Sequence, residues 1–136
     1  MFNRVVLVDE KNNEIGTEDK LEAHKKGLLH RAFSIFIFND KNEILLQKRA
    51  KSKYHSASLW SNTCCSHPYS DKSINDYATL RLVQEMGIET NLKEVFSFIY
   101  KTNFENGLVE YEYDHVFFGK YNSDPKLNTD EASDFR

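Results

Sequence analysis

At 136 residues, with 40% hydrophobic content, ten Phe and seven Tyr, the chain is sized for a single domain over residues 1–136 with a substantial aromatic core. A net charge of −3 supplies no basic field to hold nucleic acid or an anionic membrane. The apolar N-terminus is broken at Asp9-Glu10-Lys11, too soon for a secretory signal, and no run of about 18 apolar residues is present to span a bilayer.

Residues 4–8 read as a short strand, followed by turn chemistry at Asn12-Asn13 and Gly16. Residues 31–38 are β-branched and aromatic on both faces, which predicts a strand inside a covered sheet. Asn39-Asp40-Lys41-Asn42 turns the chain, and residues 43–48 return as a second strand. Residues 50–58 are polar and basic and read as a surface loop. Residues 74–86 carry Ile74, Tyr77, Ala78, Leu82 and Met86 at helical spacing, between a Ser73 cap and a Gly87 stop. Residues 94–101 and 108–118 are two further strands, joined through Asn106-Gly107, a strong hairpin signal. The tail from Tyr121 to Arg136 is polar. The order β-β-β-α-β-β predicts an α+β domain with a mixed sheet.

The chemistry-bearing residues concentrate around Trp60-Ser61-Asn62-Thr63-Cys64-Cys65-Ser66-His67-Pro68. Cys64 and Cys65 are the chain's only cysteines. Being adjacent, they cannot staple distant segments, which points to free thiols in a reducing, cytoplasmic compartment. Either thiol has a claim on the nearby histidine, and spacing does not choose between them; a buried cysteine acting as a small hydrophobe is the alternative. Glu110 and Glu112 lie two apart on a predicted strand and share a face, so their charges repel unless a cation or solvent separates them. With His24, His30 and His67 they offer donors suited to Zn²⁺, Mn²⁺ or Fe²⁺, and the carboxylates also tolerate Mg²⁺. A wet strand face and surface histidines are the plainer alternative. Lys20, Lys25, Lys26, Lys48, Arg49, Lys51, Lys53 and Arg81 can hold a phosphate or remain ordinary solvated charges. Arg81 and Glu85, four apart on the predicted helix, face the same way. No G-x-S-x-G elbow is present.

The segment Arg81-Leu82-Val83-Gln84-Glu85-Met86-Gly87-Ile88 resembles a degraded Nudix box, whose core reads Arg-Glu-apolar-x-Glu-Glu-x-Gly-apolar. Arg81, Glu85, Gly87 and Ile88 fit; Leu82 and Gln84 replace two of the glutamates that hold Mg²⁺ for hydrolysis. Nearly the whole chain resembles type I isopentenyl-diphosphate Δ-isomerase, on Gly16-Thr17, Lys20…His24…His30, Arg49-Ala50-x-Ser52-Lys53, Trp60-x-Asn62-x-x-Cys65-x-His67-Pro68, Arg81-x-x-x-Glu85-x-Gly87, Tyr100 and Glu110-x-Glu112.

The resemblance implies a Nudix-like fold and an isoprenoid diphosphate as substrate. It implies one metal site formed by His24, His30, His67, Glu110 and Glu112, holding Mn²⁺ or Zn²⁺. It selects Cys65 over Cys64 as the working thiol, facing Glu112 and Tyr100 across the substrate. Glu112 relayed through Tyr100 is the expected proton donor and Cys65 the acceptor, with the reverse assignment open. Lys20, Arg49, Lys53 and Arg81 would grip the diphosphate, Glu85 a Mg²⁺ arriving with it, and Trp60 would wall the site. It further implies that family members continue about 40 residues past Arg136, into a last strand and a covering helix. A homodimer through the uncovered surface is then expected. A Nudix-type diphosphate hydrolase and a non-catalytic, metal-stabilised module are the competing readings.

Overall fold

The computed structural model describes residues 4–50, 59–69 and 72–136. Strand β1 (Arg4–Val8) turns back as β2 (Glu14–Asp19). Asp9 builds the turn, its Oδ1 accepting the backbone N–H groups of Lys11 and Asn13 at 2.9 Å each. Helix α1 (Lys20–Lys26) is started by the Asp19 carboxylate on the Glu22 N–H and stopped by Gly27 at φ 67°. There follow β3 (His30–Phe38), β4 (Gln47–Arg49), β5 (Trp60–Ser61), β6 (Cys64–Ser66), α2 (Ile74–Met86), β7 (Lys93–Asn103), β8 (Val109–Lys120) and β9 (Ala132–Phe135).

The larger sheet runs β2-β1-β3-β8-β7, with β6 also paired to β3; a smaller one runs β5-β4-β9. β3 and β8 are parallel, whereas β7 and β8 form the antiparallel hairpin, so the sheet is mixed. On β3 the alternate residues Phe33, Ile35 and Ile37 join Ala78, Leu82 and Met86 of α2, Phe117 of β8 and Ala132 of β9 in one core. The period of two on β3 meets the helical period on α2, which makes the two elements natural partners. The other face of the sheet is polar at the His30 end and aromatic at the far end, where Phe118 meets Phe36 and Phe38. On the edge strand β7, Phe96 and Phe98 are exposed.

The α+β class, the mixed sheet, the strands at 4–8, 31–38, 94–101 and 108–118 and the helix at 74–86 all appear. Five elements carry no clear sequence signal. β2 is polar because it is an edge strand, α1 has seven residues, and β5, β6 and β9 have two to four. The return strand expected over 43–48 contracts to Gln47–Arg49, with an isolated bridge from Ile44 to Phe38. The loop expected at 50–58 lies outside the described residues from position 51 onward.

The tail is tied to α2. Lys126 N–H donates to the Met86 carbonyl at 2.7 Å, and Asn128 N–H to the Glu85 carbonyl at 2.9 Å. Gly87 makes this possible. It sits at φ 64°, and a Cβ there would lie 2.7 Å from both the Lys126 Cβ and its carbonyl oxygen. Gly87→Ala therefore combines left-handed strain with a clash against backbone. The expected loss is about 2–3 kcal/mol of unfolding free energy, measured by urea titration.

Candidate active site

Strand β8 is the spine of the site. Glu112 stands opposite His30 in the parallel β3 register and opposite Tyr100 in the antiparallel β7 register. His67 arrives just past β6, and His24 from α1, whose Gly27 packs on Val109 of β8. One ligand atom from each of His24, His30, His67 and Glu112 lies within 4.8 Å of the others. His24 and His30 are fully buried, and Glu112 is nearly so.

The imidazoles are oriented by backbone. His24 Nδ1 is 2.7 Å from the Lys20 carbonyl and His30 Nδ1 is 2.9 Å from the Leu28 carbonyl. A carbonyl only accepts, so both Nδ1 atoms carry the proton and Nε2 is the ligand nitrogen. Burial pushes His67 down to about 3 and lowers His24, so both rings stay neutral. Yet His30 Nε2 and His67 Nε2 approach the same Glu112 oxygen at 3.2 and 2.8 Å. His67 can carry its proton on Nε2 and donate it to Glu112, whereas His30, with its proton on Nδ1, turns an Nε2 lone pair toward the same oxygen, a contact that a cation among them would relieve. The donor set therefore fits a divalent metal. Burial raises Glu112, but its close contacts with His30 and His67, hydrogen bonding first, outweigh it and hold the carboxyl well below the usual range.

Glu110 stands beside the four-residue cluster and reaches it through Tyr100. The Tyr100 hydroxyl contacts Glu110, and Glu112 Oε1 at 2.5 Å. One phenolic proton cannot serve two carboxylates at once, so this trio also calls for an extra proton or positive charge. Burial, and then repulsion from Glu112, raise the Glu110 carboxyl. Burial and the two carboxylates push the Tyr100 phenol well up, which keeps it a donor.

Asp114 continues the same face of β8 and is 4% exposed. Its Oδ2 accepts from Ser34 Oγ at 2.6 Å. Burial, then the charges on Glu112 and Glu110, push it up to about 7 against an opposing bond from Ser34. An acid raised on folding binds extra protons in the folded state, so its contribution to stability is lost as pH rises from about 4 through about 7. Asp114→Asn removes that loss. We expect the melting temperature of the variant to gain on the wild type steadily between pH 5 and pH 8, as followed by circular dichroism.

Cys65 pairs with Ser34 across β6 and β3, while Cys64 is buried in the core. Burial pushes the Cys65 thiol up to about 12, with Ser34 and Asn62 opposing, so the sulfur holds its proton at neutral pH. Cys65, Tyr100, Glu110, Glu112 and His67 line one cleft of about 660 Å³. Lys20, Arg49, Arg81, Glu85 and Trp60 line it as well, with His24 and His30 behind its wall, whereas Lys25, Lys26 and Lys48 do not line it. Lys53 lies outside the described residues. Glu85 is nearly buried, held by Arg81 Nη2 at 2.5 Å and Gln47 Nε2 at 3.2 Å. Leu82 sits in the core and Gln84 only reaches Arg81, so neither replaces the missing carboxylates of a Nudix box.

Ser34, Asp114, Gln47 and Glu131 also belong to the cleft or its wall and were not singled out from sequence. Asp114 extends the Glu110-x-Glu112 alternation, and Ser34 is a lone hydroxyl among the apolar residues 32–38; both signals were readable. Glu131, 3.3 Å from Arg81, comes from the tail and had none.

Residues 28–136 match the NUDIX domain family model. The chain is 52% identical over its whole length to isopentenyl-diphosphate Delta-isomerase 2 of Aromatoleum aromaticum, covering 72% of that protein. It is 52% identical to isopentenyl-diphosphate Delta-isomerase 2 of Photorhabdus laumondii over 97% of the chain and 75% of that protein. Among solved structures, a Deinococcus radiodurans protein superposes with a TM-score of 0.79 at 15% identity, over 98% of this chain and 81% of that one. The MutT protein of Methanosarcina mazei superposes at 0.63 with 22% identity, over 79% and 75%. These two likenesses speak for the fold alone.

Proposed function

This chain belongs to the isopentenyl-diphosphate Δ-isomerase family, built on a NUDIX domain, and we propose how its cleft interconverts isopentenyl and dimethylallyl diphosphate. The observation that carries the reading is one cleft that presents a thiol, Cys65, and a phenol–carboxylate pair, Tyr100 and Glu112, beside a cationic rim.

Moving the double bond requires one proton added at C4 and one removed at C2, with a tertiary cation between the steps. An alkene is a poor base, so each proton needs its own positioned partner. Cys65 and the Tyr100–Glu112 pair fill those two places. Because the reaction is reversible, each is donor in one direction and acceptor in the other. Trp60 offers an aromatic face to the cation, an interaction of about 1–2 kcal/mol where water is excluded. Lys20, Arg49 and Arg81 hold the unreacting diphosphate, whose binding energy fixes the alkene in place.

His24, His30, His67 and Glu112 would hold a divalent metal, Mn²⁺ or Zn²⁺ by donor type, with Glu110 at its margin. Bound there, the metal supplies fixed positive charge that keeps Glu112 ionised and oriented. Glu85, the carboxylate remaining from the Nudix pattern, is placed to hold Mg²⁺ on the diphosphate. Two free thiols suit a reducing, cytoplasmic compartment.

The test is incubation of the metal-loaded protein with isopentenyl diphosphate, reading allylic product by chromatography and inorganic phosphate by colorimetry. Allylic diphosphate without phosphate release is expected. Phosphate release without the allylic product would replace this reading with diphosphate hydrolysis.

A further inference from the structure

The Cys65 thiol is held from two sides by groups the reaction does not otherwise use. Asn62 is hydrogen-bonded to capacity. Its Nδ2 donates to the carbonyls of Ile35 at 2.9 Å and Cys64 at 3.0 Å. Its Oδ1 accepts from Ser61 Oγ at 3.1 Å and from Cys65 Sγ at 2.9 Å. A primary amide has two donor hydrogens and one oxygen with two lone pairs. Both hydrogens go to carbonyls, which only accept, so the amide cannot flip and Oδ1 must face the sulfur.

On the other side, Ser34 Oγ lies 3.7 Å from Cys65 Sγ and donates its only proton to Asp114 Oδ2 at 2.6 Å. Ser34 therefore presents lone pairs to the thiol. The β3–β6 register, Ser34 opposite Cys65, fixes this approach. A hydroxyl among the otherwise apolar residues 32–38 and a carboxylate that is 4% exposed are costly for the fold. What they stabilise is the placement of one sulfur atom.

We propose that Asn62 and Ser34, the latter held by Asp114, are positioning residues that aim the Cys65 sulfur at the carbon skeleton of the substrate. The proposal rests on the isomerase reading above. Proton transfer at carbon tolerates little misplacement: an error near 1 Å costs about 100-fold in rate. A cysteine side chain has one rotatable bond before sulfur and three staggered positions for it. The single S–H proton goes to Asn62 Oδ1 at 2.9 Å, and Ser34 Oγ at 3.7 Å bounds the sulfur across the β3–β6 pair, so together they select one of those positions. The diphosphate is gripped elsewhere, by Lys20, Arg49 and Arg81, so loss of the clamp should reach turnover and spare binding.

The experiment compares wild type, Asn62→Ala, Ser34→Ala and Ser34→Thr. Steady-state kinetics with isopentenyl diphosphate give kcat and KM. Raman spectroscopy gives the Cys65 S–H stretch, assigned by difference against Cys65→Ala. Asn62→Ala is expected to lose about 10- to 100-fold in kcat with KM within about threefold, and its S–H band to move to higher frequency and broaden. Ser34→Ala is expected to lose less, and Ser34→Thr, which keeps the oxygen, to recover most of that loss. An S–H band and a kcat unchanged in both alanine variants would overturn the proposal. So would KM rising in step with falling kcat while Ser34→Thr is no better than Ser34→Ala. If the wild type itself does not isomerise the substrate, the activity reading fails separately. The S–H band then decides: a shift in Asn62→Ala supports the clamp, and an unmoved band ends it.

Discussion

Cys65→Ala should abolish isomerisation, lowering kcat by about 1,000-fold or more, while KM for isopentenyl diphosphate stays within a few-fold of wild type. In the proposed mechanism the thiol is one of the two groups that move a proton at carbon. Asn62 and Ser34 lack a proton to give in the geometry seen, and Cys64 is turned into the core. Cys65 faces the cleft, so its loss leaves the core intact. The melting temperature should change by no more than a few degrees. A variant that loses activity together with its melting transition would instead mark Cys65 as structural. The same alanine at Cys64 should do the opposite: it opens a small cavity beside Phe33 and Leu82, lowering stability by about 1 kcal/mol with turnover largely kept. Measured side by side, the two variants separate chemistry from packing at adjacent positions.

Glu112→Gln should be as damaging to catalysis, for a different reason. Glu112 Oε2 is shared by His30 and His67, and Oε1 takes the Tyr100 hydroxyl. The amide removes the charge that draws a cation to the three imidazoles, and it cannot exchange a proton through Tyr100. We expect at least a 1,000-fold loss of kcat. Stability should respond with a characteristic sign. Removing one of three carboxylates crowded on a single face of β8 relieves repulsion with Glu110 and Asp114. The contacts with His30 and His67 that hold the Glu112 carboxyl well below its usual range outweigh that relief, so the metal-free variant should melt lower than the metal-free wild type. Addition of Mn²⁺ or Zn²⁺ should raise the melting temperature of the wild type, because a ligand that binds only the folded state stabilises it by mass action. That rise should be largely missing in Glu112→Gln. An equal rise in both proteins would place the metal elsewhere.

How far the sequence leads depends on the length of the element and on whether its signal is local. α2 was legible because thirteen residues carry a period, a Ser73 cap and a Gly87 stop, and all three features are present in the structure. β3, β7 and β8 were legible from β-branched and aromatic runs of nine to twelve residues. α1, by contrast, is two turns of mostly polar residues whose position is set by its Asp19 cap and by Gly27 docking on Val109. Such an element is specified by tertiary contact, not by period. β9 escapes notice because its Ala132 and Phe135 acquire a partner only when β4 is alongside.

The site divides in the same way. The Glu110-x-Glu112 pair and the Cys65-x-His67 spacing are local and could be read directly. That His30 and Tyr100 flank Glu112 is a matter of strand order and register, which couple positions 82 and 12 residues apart. Geometry alone also leaves Glu110 outside the four residues whose candidate ligand atoms lie within 4.8 Å of one another, a distinction that spacing on one strand could not supply. The role of Asn62 was hidden for a further reason. It follows from counting the hydrogen bonds of one amide, and those partners lie on β3, β5 and β6.

The most direct test follows isopentenyl diphosphate by proton and deuterium NMR in D₂O, with Mg²⁺, a low level of Mn²⁺ and the wild-type protein, beside Cys65→Ala. Proton exchange through Cys65 and the Tyr100–Glu112 pair predicts dimethylallyl diphosphate carrying solvent deuterium, formed by the wild type and lost in the variant. Substrate left unchanged by the wild type, or deuterated allylic product made equally well without the Cys65 thiol, would contradict it.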